Sequence, residues 1–342
     1  MTGTTTSREI HLKSRPEGLP KPENFELASV ELPAPGPGEV LVRNRWMSVD
    51  PYMRGRMMDR KSYVPPFQIG EPLQGHAVGK VVASNNPEFA EGDLVLSMNG
   101  WREAFVSNGK DLQKLDTFGL PEEAFLGVAG MPGLTAYAGL LHIAKPREGE
   151  TVFVSGAAGA VGSLVCQIAK IKGCRVVGSA GGEAKGEFLN SIGVDAVIDY
   201  KAHPDQRSLM AALKAAAPEG VDVYFENVGG DHLVAALDAM NNFGRIAVCG
   251  MISGYNDTTP RPGPWNLFNI IGKRLRVQGF IVSDHLDLLP DFMRDLSTWV
   301  SEGKIKWQQT VEEGIENAPA AFLKLFSGGN TGKMLVRLDK DA

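Results

Sequence analysis

TVFVSGAAGAVGSLVCQIAK, residues Thr151 to Lys170, enters as an apolar β run, bends through glycines and leaves as a helix. Its turn reads Ala157-x-Gly159-x-x-Gly162. At Gly159 the missing side chain lets the backbone approach a pyrophosphate, and at Gly162 it lets helix and strand pack closely. The helix N-terminus adds unpaired N–H groups and the positive end of the dipole. A bare glycine triplet is weak evidence; here the strand precedes it, the helix comes after it and the next strand starts at the expected distance. Ala157 stands where the fingerprint has its first glycine, which is a departure.

The end of the second strand, about 20 residues on, is where an acidic side chain would hold a ribose hydroxyl. This chain has Ser179-Ala180-Gly181-Gly182 there, and Lys185 comes one helical turn inside the next element. Without a carboxylate the pocket accepts a 2'-phosphate, so NADPH is expected over NADH. Glu183 works against that reading, and an ordinary solvated helix lysine accounts for Lys185 equally well on position alone.

Around this turn, apolar runs alternate with helix-period segments from about Leu126 onward, the βαβ pattern of a parallel sheet. The strands expected are Thr151 to Gly156, Cys174 to Ala180, Asp195 to Tyr200, Val221 to Val228, Arg245 to Gly250 and Leu275 to Val282. Helices fall at about 160–172, 183–192, 207–217 and 231–241, and a later one at Leu286 to Glu302. Six strands fill a doubly wound domain. The first 125 residues read differently, as short strands between Pro and Gly turns: Glu39 to Asp50, Gly75 to Ser84, Asp93 to Met98 and Trp101 to Ser107. A terminal helix at Ala320 to Gly328 and a strand at Lys333 to Leu338 are assigned back to that β-rich domain. The expected division is 1–125 with 308–342, and 126–307.

A length of 342 residues favours two cores over one. With 35 basic and 40 acidic residues the net charge is −5, and no single-sign block stands out, which argues against nucleic acid as a partner. The start MTGTTTSREIHLKSRP has no apolar core of a secretory signal, and no apolar run reaches the ~18 residues that span a bilayer. A cytoplasmic location with no membrane association is expected. Cys166, Cys174 and Cys249 lack C-x-x-C spacing and read as reduced core residues.

Several longer motifs resemble one family: MSVDPYMRGRM (Met47 to Met57), GMPGLTAYAGL (Gly130 to Leu140), GCRVVGSAGG, YFENVGG (Tyr224 to Gly230), CGMISGYN (Cys249 to Asn256), QGFIV (Gln278 to Val282) and GGNTGK (Gly328 to Lys333). Together with GAAGAVGS they resemble the medium-chain dehydrogenase/reductase superfamily. The likeness is to its zinc-free branch of prostaglandin and leukotriene reductases and alkenal double-bond reductases, which takes in the bacterial NADPH-dependent curcumin reductases. The resemblance spans nearly the whole chain. It implies an α/β protein in which a GroES-like β-rich catalytic domain joins a Rossmann domain, with the active site in the cleft between them, and it implies a homodimer.

By the same resemblance, NADPH is expected to contact Gly159, Ala160, Val161 and Gly162 in the turn, Lys185 and Tyr200 at the 2'-phosphate and adenosine end, and Asn227 at the fourth strand's carboxyl end. The loop Cys249, Gly250, Met251, Ile252, Ser253, Gly254 and Tyr255, then Phe280, Ile281 and Val282, and finally Asn330, are expected at the nicotinamide half. The superfamily's zinc enzymes carry G-H-E-x-x-G and ligand cysteines; this chain has Gly75-His76-Ala77-Val78-Gly79 and lacks both the Glu and the cysteines. One His cannot build a zinc site, so none is expected.

Without a metal, a tyrosine hydroxyl has to stabilise the charge that gathers on the carbonyl oxygen when hydride reaches the β-carbon of an enone or enal. Tyr63 in KSYVPP and Tyr255 in ISGYN are the favoured candidates, unranked, and Tyr52 in DPYMR is the third. The resemblance places a catalytic tyrosine at Tyr63. Tyr52, Met53 and Tyr63 are expected beside the substrate, with Met57 and Trp101 as further apolar wall, although methionines and tryptophan in such segments are commonly core. Two other readings are weighed: a quinone reductase of the same superfamily, and a nucleotide-binding module without catalysis.

Overall fold

The computed structural model describes residues 4–339, which fold as two units. One runs up to Leu126 and takes back Gln309–Asn330 and the chain from Met334; the other is Gly127–Gln308 with Thr331–Lys333.

In the β-rich unit, β1 (Thr5–Leu12) and β2 (Phe25–Leu32) form an antiparallel pair. A larger sheet holds β3 (Val40–Ser48), β4 (Ala77–Ser84), β5 (Leu94–Ser97), β6 (Ala104–Ser107) and β7 (Gln113–Lys114). The returning chain adds β14 (Gln309–Glu313) and β15 (Lys333–Arg337), in the order β14-β15-β3-β4-β5-β7, with β6 also on β3. The last strand thus returns to this sheet as expected, antiparallel to β3 with Leu335 opposite Ser48. Its core gathers Ile10, Leu12, Met53, Met57, Trp101 and Phe322, all but sealed from solvent. Phe25 stacks parallel to Trp101, and Phe322 meets both rings edge-on.

The second unit contains a six-stranded sheet built from β8 (Thr151–Ser155), β9 (Arg175–Ala180), β10 (Ala196–Asp199), β11 (Val221–Glu226), β12 (Met240–Val248) and β13 (Arg276–Gly279). Every pairing is parallel, in the order β10-β9-β8-β11-β12-β13. In sequence terms that is 3-2-1-4-5-6, the doubly wound arrangement whose strand order reverses beside the first strand. Helices cover the sheet: Ala160–Ile171, Glu183–Ser191, Gln206–Ala216 and Gly230–Ala239 connect the strands. All of β8 is buried, as its unbroken apolar run requires of a strand covered on both faces.

Two expected elements differ in extent. The run expected as one strand to Val282 stops pairing at Gly279; a 3₁₀ segment takes over at Val282–Leu288 and the helix starts only at Leu289. Pro290, in that helix's first turn, sets the start, since it lacks a donor and belongs where none is needed. The fifth strand instead begins five residues early, at Met240, because Phe243 at φ 64° and a shift of register against β11 bring MNNFG into the ladder.

Candidate active site

In the second unit, the glycine turn is held by contacts that only small residues permit. A Cβ on Gly162 would stand 2.3 Å from Gly156 O and 2.9 Å from Ala157 Cα, inside any tolerable contact. Gly156 itself has φ 59°. Gly159 caps the helix that begins at Ala160, whose first N–H groups have no partner within the helix. Ala157 departs from the fingerprint without cost: its methyl is fully buried against the bare backbone of Gly178, and its N–H donates to Ser179 O at 2.9 Å. The short segment Thr331–Lys333 lies along the turn, with Gly332 N donating to Ala158 O at 2.7 Å and bridging Gly159. Gly332 cannot be replaced there, since a Cβ would fall 1.9 Å from Gln308 O. Asn330 immediately precedes that segment in the chain and is assigned to the β-rich unit.

At the ribose end the sequence-predicted Lys185 and Tyr200 come together with a residue that sequence reading missed, Lys201. The ammonium of Lys185 has its pKa lowered by burial and then by the positive charge of Lys201. Two cations near one another make a place that favours an anion. Lys201 Cε and the Tyr200 ring lie over Gly181, where a Cβ would meet them at 2.9 and 3.0 Å. Asp199 is engaged by backbone: its Oδ1 accepts from Gly182 N and Lys201 N, both at 3.0 Å, while Glu183 opens the next helix and is exposed. Behind Tyr200 sits His232, buried, 2.9 Å from Ser179 Oγ, with the tyrosine ring edge-on to it. Burial pushes its imidazole down to about 4, so it is neutral. Tyr200-Lys201 is a local pair, and its position just past a parallel strand is the signal that could have found Lys201.

Asn227 comes directly after β11 and is fixed to the end of β8: its N–H donates to Ser155 Oγ at 3.0 Å and its Nδ2 to Ser155 O at 2.7 Å. Over this turn folds the Cys249–Tyr255 loop. Ile252 N donates to Asn227 O and Ser253 N to Val228 O, at 3.2 and 3.0 Å. Gly229 and Gly230, at φ 75° and 53°, leave room for Met251 and Ser253, whose side-chain atoms would stand about 3 Å from any added Cβ. Tyr255 turns its hydroxyl inward over Gly250, 3.4 Å from Met251 N, and burial raises its pKa, which keeps the proton on the phenol. The thiol of Cys249 is raised to about 12 by burial and then by Glu226, so it is a packed group rather than a nucleophile. Phe280 rests edge-on against Phe225, and half-buried Ile281 and Val282 come next. The structure therefore gathers Gly159–Gly162, Lys185, Tyr200, Asn227, the 249–255 loop and Phe280–Val282 along the carboxyl ends of one parallel sheet, where doubly wound folds bind ligands.

In the β-rich unit, Tyr52 precedes the short helix Met53–Arg56, and Arg56 ends it. Arg56 is buried and anchors the chain beyond that helix. Its Nε donates to Pro65 O at 2.9 Å, its Nη2 to Gln74 Oε1 at 2.7 Å, and the guanidinium lies 4.1 Å over the Phe67 ring. Those contacts hold the KSYVPP segment, on which Tyr63 is 61% exposed. Tyr52 is the reverse case, a phenol whose pKa is driven well up by burial, adjacent to Asp50, Arg56 and Tyr63. Met53, Met57 and Trp101, expected as an apolar wall beside substrate, are all 0% exposed in the unit's core. His76 is half-buried with its carbonyl accepting from Ser48 N at 2.8 Å, and among the described residues no three His, Cys, Asp or Glu are gathered as a metal ion would need.

The chain is similar to known proteins over nearly its whole length. Residues 8–115 match a family described as the N-terminal domain of oxidoreductase, and residues 160–301 match one described as zinc-binding dehydrogenase. The chain is 45% identical over 341 residues to the NADPH-dependent curcumin reductase of Escherichia coli, covering 98% of each. It is 43% identical over 347 residues to the NADP-dependent 2-alkenal reductase of Nicotiana tabacum, covering 100% of each. The crystal structure of CurA from Vibrio vulnificus in complex with NADPH superimposes with a TM-score of 0.91 at 43% identity, covering 97% of this chain and 99% of that one.

Proposed function

We propose that this chain, which belongs to the medium-chain dehydrogenase/reductase superfamily and to its branch of curcumin, alkenal and prostaglandin reductases, is an NADPH-dependent reductase of the activated C=C bond of small enones and enals. The observation that carries the reading is the ribose end of the glycine turn, where Lys185 and Lys201 converge while Asp199 is taken up by backbone donors. That place suits a phosphate, and no carboxylate stands at the tip of the second strand, Ser179-Ala180-Gly181-Gly182, where a ribose 2'-hydroxyl would be held.

When bound, NADPH supplies the hydride for the substrate's β-carbon. The chain's own part is to orient and to donate. The glycine turn and helix N-terminus take the pyrophosphate, Asn227 and the Cys249–Tyr255 loop take the nicotinamide half with Phe280–Val282 and Asn330, and a phenol stabilises the oxygen on which the enolate charge develops. Tyr255 holds its proton by burial and suits a donor; Tyr63 suits the same task through its exposure on a segment that Arg56 anchors. The α-carbon then takes its proton from tyrosine or water. No metal enters this scheme: the Gly75–Gly79 segment lacks the Glu of the zinc signature.

The test tracks NADPH consumption by its near-ultraviolet absorbance with an enone, a quinone, or no acceptor. Turnover with the enone is expected. Quinone-only turnover selects the quinone reductase, and binding without turnover on any acceptor selects the non-catalytic module. Replacing the donor tyrosine by Phe should lower turnover by about 10²-fold or more with NADPH affinity nearly unchanged; equal turnover in both Tyr63→Phe and Tyr255→Phe removes this role from tyrosine. A cytoplasmic homodimer completes the proposal. The three free cysteines fit a reducing compartment.

A further inference from the structure

Glu226 ends β11 and is fully buried, and the chemistry proposed above makes no use of its carboxyl group. Its two oxygens are treated unequally. Oε1 lies 2.7 Å from Tyr224 Oη and 3.0 Å from Ser155 Oγ, and it accepts from the N–H groups of Val228 and Gly229 at 2.7 and 2.8 Å. Oε2 is equally buried and has no hydrogen-bond partner. An ionised carboxylate spreads its charge over both oxygens, so burying one of them without a donor is heavily penalised. Protonation removes that charge: Oε1 keeps its donors, and Oε2 becomes a hydroxyl whose unmet hydrogen bond costs less than an unmet charge.

The same residue ties three cofactor-facing segments together. Its side chain meets Ser155, the last residue of β8, and closes the Asn227–Gly229 turn by two backbone donors. Its own carbonyl accepts from Cys249 N and Gly250 N, at 2.9 and 3.0 Å, where the 249–255 loop begins.

We infer that Glu226 is an un-ionised carboxylic acid acting as a positioning residue, holding the Asn227 turn and the Cys249–Tyr255 loop in the register that receives NADPH. This rests on the reading that the cofactor binds along this edge. The titratable groups facing the carboxyl are Tyr224 from its own strand, Cys249 from beyond β12 and Tyr255 from the loop, and from β8 comes the neutral Ser155. Burial keeps the protons on Tyr224, Cys249 and Tyr255, so all three are neutral, and burial likewise raises the pKa of Glu226 itself.

Linkage fixes the sign of the effect on stability. A carboxyl whose folded pKa lies above its unfolded value contributes stability that is complete below the unfolded value and is lost as pH rises through the folded one. Glu226→Gln puts an amide oxygen where Oε1 accepts and an NH₂ where Oε2–H stands, without the titration. The experiment measures melting temperature without cofactor from about pH 4 to about pH 8, and NADPH Kd by calorimetry, for the wild type, Glu226→Gln and Glu226→Ala. Glu226→Gln is expected to hold NADPH Kd within about threefold, and its melting temperature relative to the wild type should climb as pH rises; Glu226→Ala should weaken Kd about tenfold or more. The inference is overturned if Glu226→Gln loses as much affinity as Glu226→Ala while its relative melting temperature falls with pH, which marks a working carboxylate. It is equally overturned if Glu226→Ala binds NADPH as the wild type does. Should Glu226→Ala not fold, the Gln variant's pH trend and Kd decide. A wild type that fails to bind NADPH sinks the functional reading instead, and the pH trend still tests the acid.

Discussion

Lys185 and Lys201 belong to different elements, one in the helix after β9 and the other just past β10, yet the fold makes each feel the other's charge. Two ammonium groups near one another suit a shared anionic ligand. Lys185→Ala and Lys201→Ala should each cost about 1.5–3 kcal/mol of NADPH binding, the worth of a hydrogen bond to a charged group, and so raise Kd roughly 10- to 100-fold. NADH affinity should hardly move, and the loss should shrink in high salt. Calorimetry with both cofactors measures this; a matching loss for NADH would show that the lysines serve the fold rather than the 2'-phosphate. His232 behind them gives a second prediction at this scale. Its folded pKa is depressed to about 4 from an ordinary 6.5, so the native state binds fewer protons than the unfolded chain between those values. Stability is therefore whole above pH 6.5 and falls as acid is added toward pH 4. In His232→Asn, which keeps a polar group toward Ser179 but does not titrate, melting temperature should depend less steeply on pH across that window. An unchanged slope would mean that the histidine is not the group responsible.

At the scale of elements, the helix before the glycine turn shows how backbone irregularity serves the site. Residues Ala138–Ala144 form a π-helical segment, a widened turn that is rare outside functional regions. It carries Gly139 against the rings of Phe280 and Phe225, so that a Cβ there would stand 2.4 Å from Phe280 Cζ and 2.7 Å from Phe225 Cε2. Gly139→Ala should overpack this contact, cost about 1–3 kcal/mol of stability and push Phe280 out of place, lowering both melting temperature and turnover. Adding Phe280→Leu should recover much of the stability without recovering turnover, and a Gly139→Ala protein that melts and turns over as the wild type does would refute the contact. Elements also mark how far sequence alone reaches. The parallel strands were legible because burial on both faces demands unbroken apolar runs, and Val152-Phe153-Val154 is one, between Thr151 and Ser155. The β1–β2 pair was not legible: FELASVEL buries only Phe25, so neither a run nor a clean apolar alternation announces it. FIV after β13 reads as strand by composition, while the fold takes those residues past the carboxyl end of the strand. Gly159 and Gly162 were legible because their demands are local, two contacts within one turn. Lys201 and Glu226 were not, because what defines them is the convergence of separate strand ends, which no single window of sequence contains.

For the molecule as a whole, the six-stranded sheet ends on a strand that is unlike the rest. All four residues of β13 are exposed, and its one partner among the described residues is β12. Val277 on that strand is exposed, as are Trp265, Leu267 and Phe268 shortly before it in the chain, and Ile271 is 80% exposed, on a protein that otherwise buries most such residues. An unprotected edge beside a greasy surface invites pairing with another chain. A second copy of the same strand meets that invitation with the same patch on both sides, as a two-fold dimer requires, and a net charge of −5 is too small to oppose it. The expected behaviour is a dimer by sedimentation at micromolar concentration. Val277 belongs to the edge strand and Ile271 to the apolar stretch before it, so Ile271→Glu with Val277→Lys places charge at both halves of the contact and should yield monomers. Because neither residue belongs to the cofactor machinery, NADPH Kd should stay within about threefold, which separates lost assembly from lost folding. A wild type that remains monomeric at every concentration, or a double variant that still dimerises, would leave the exposed edge without this partner.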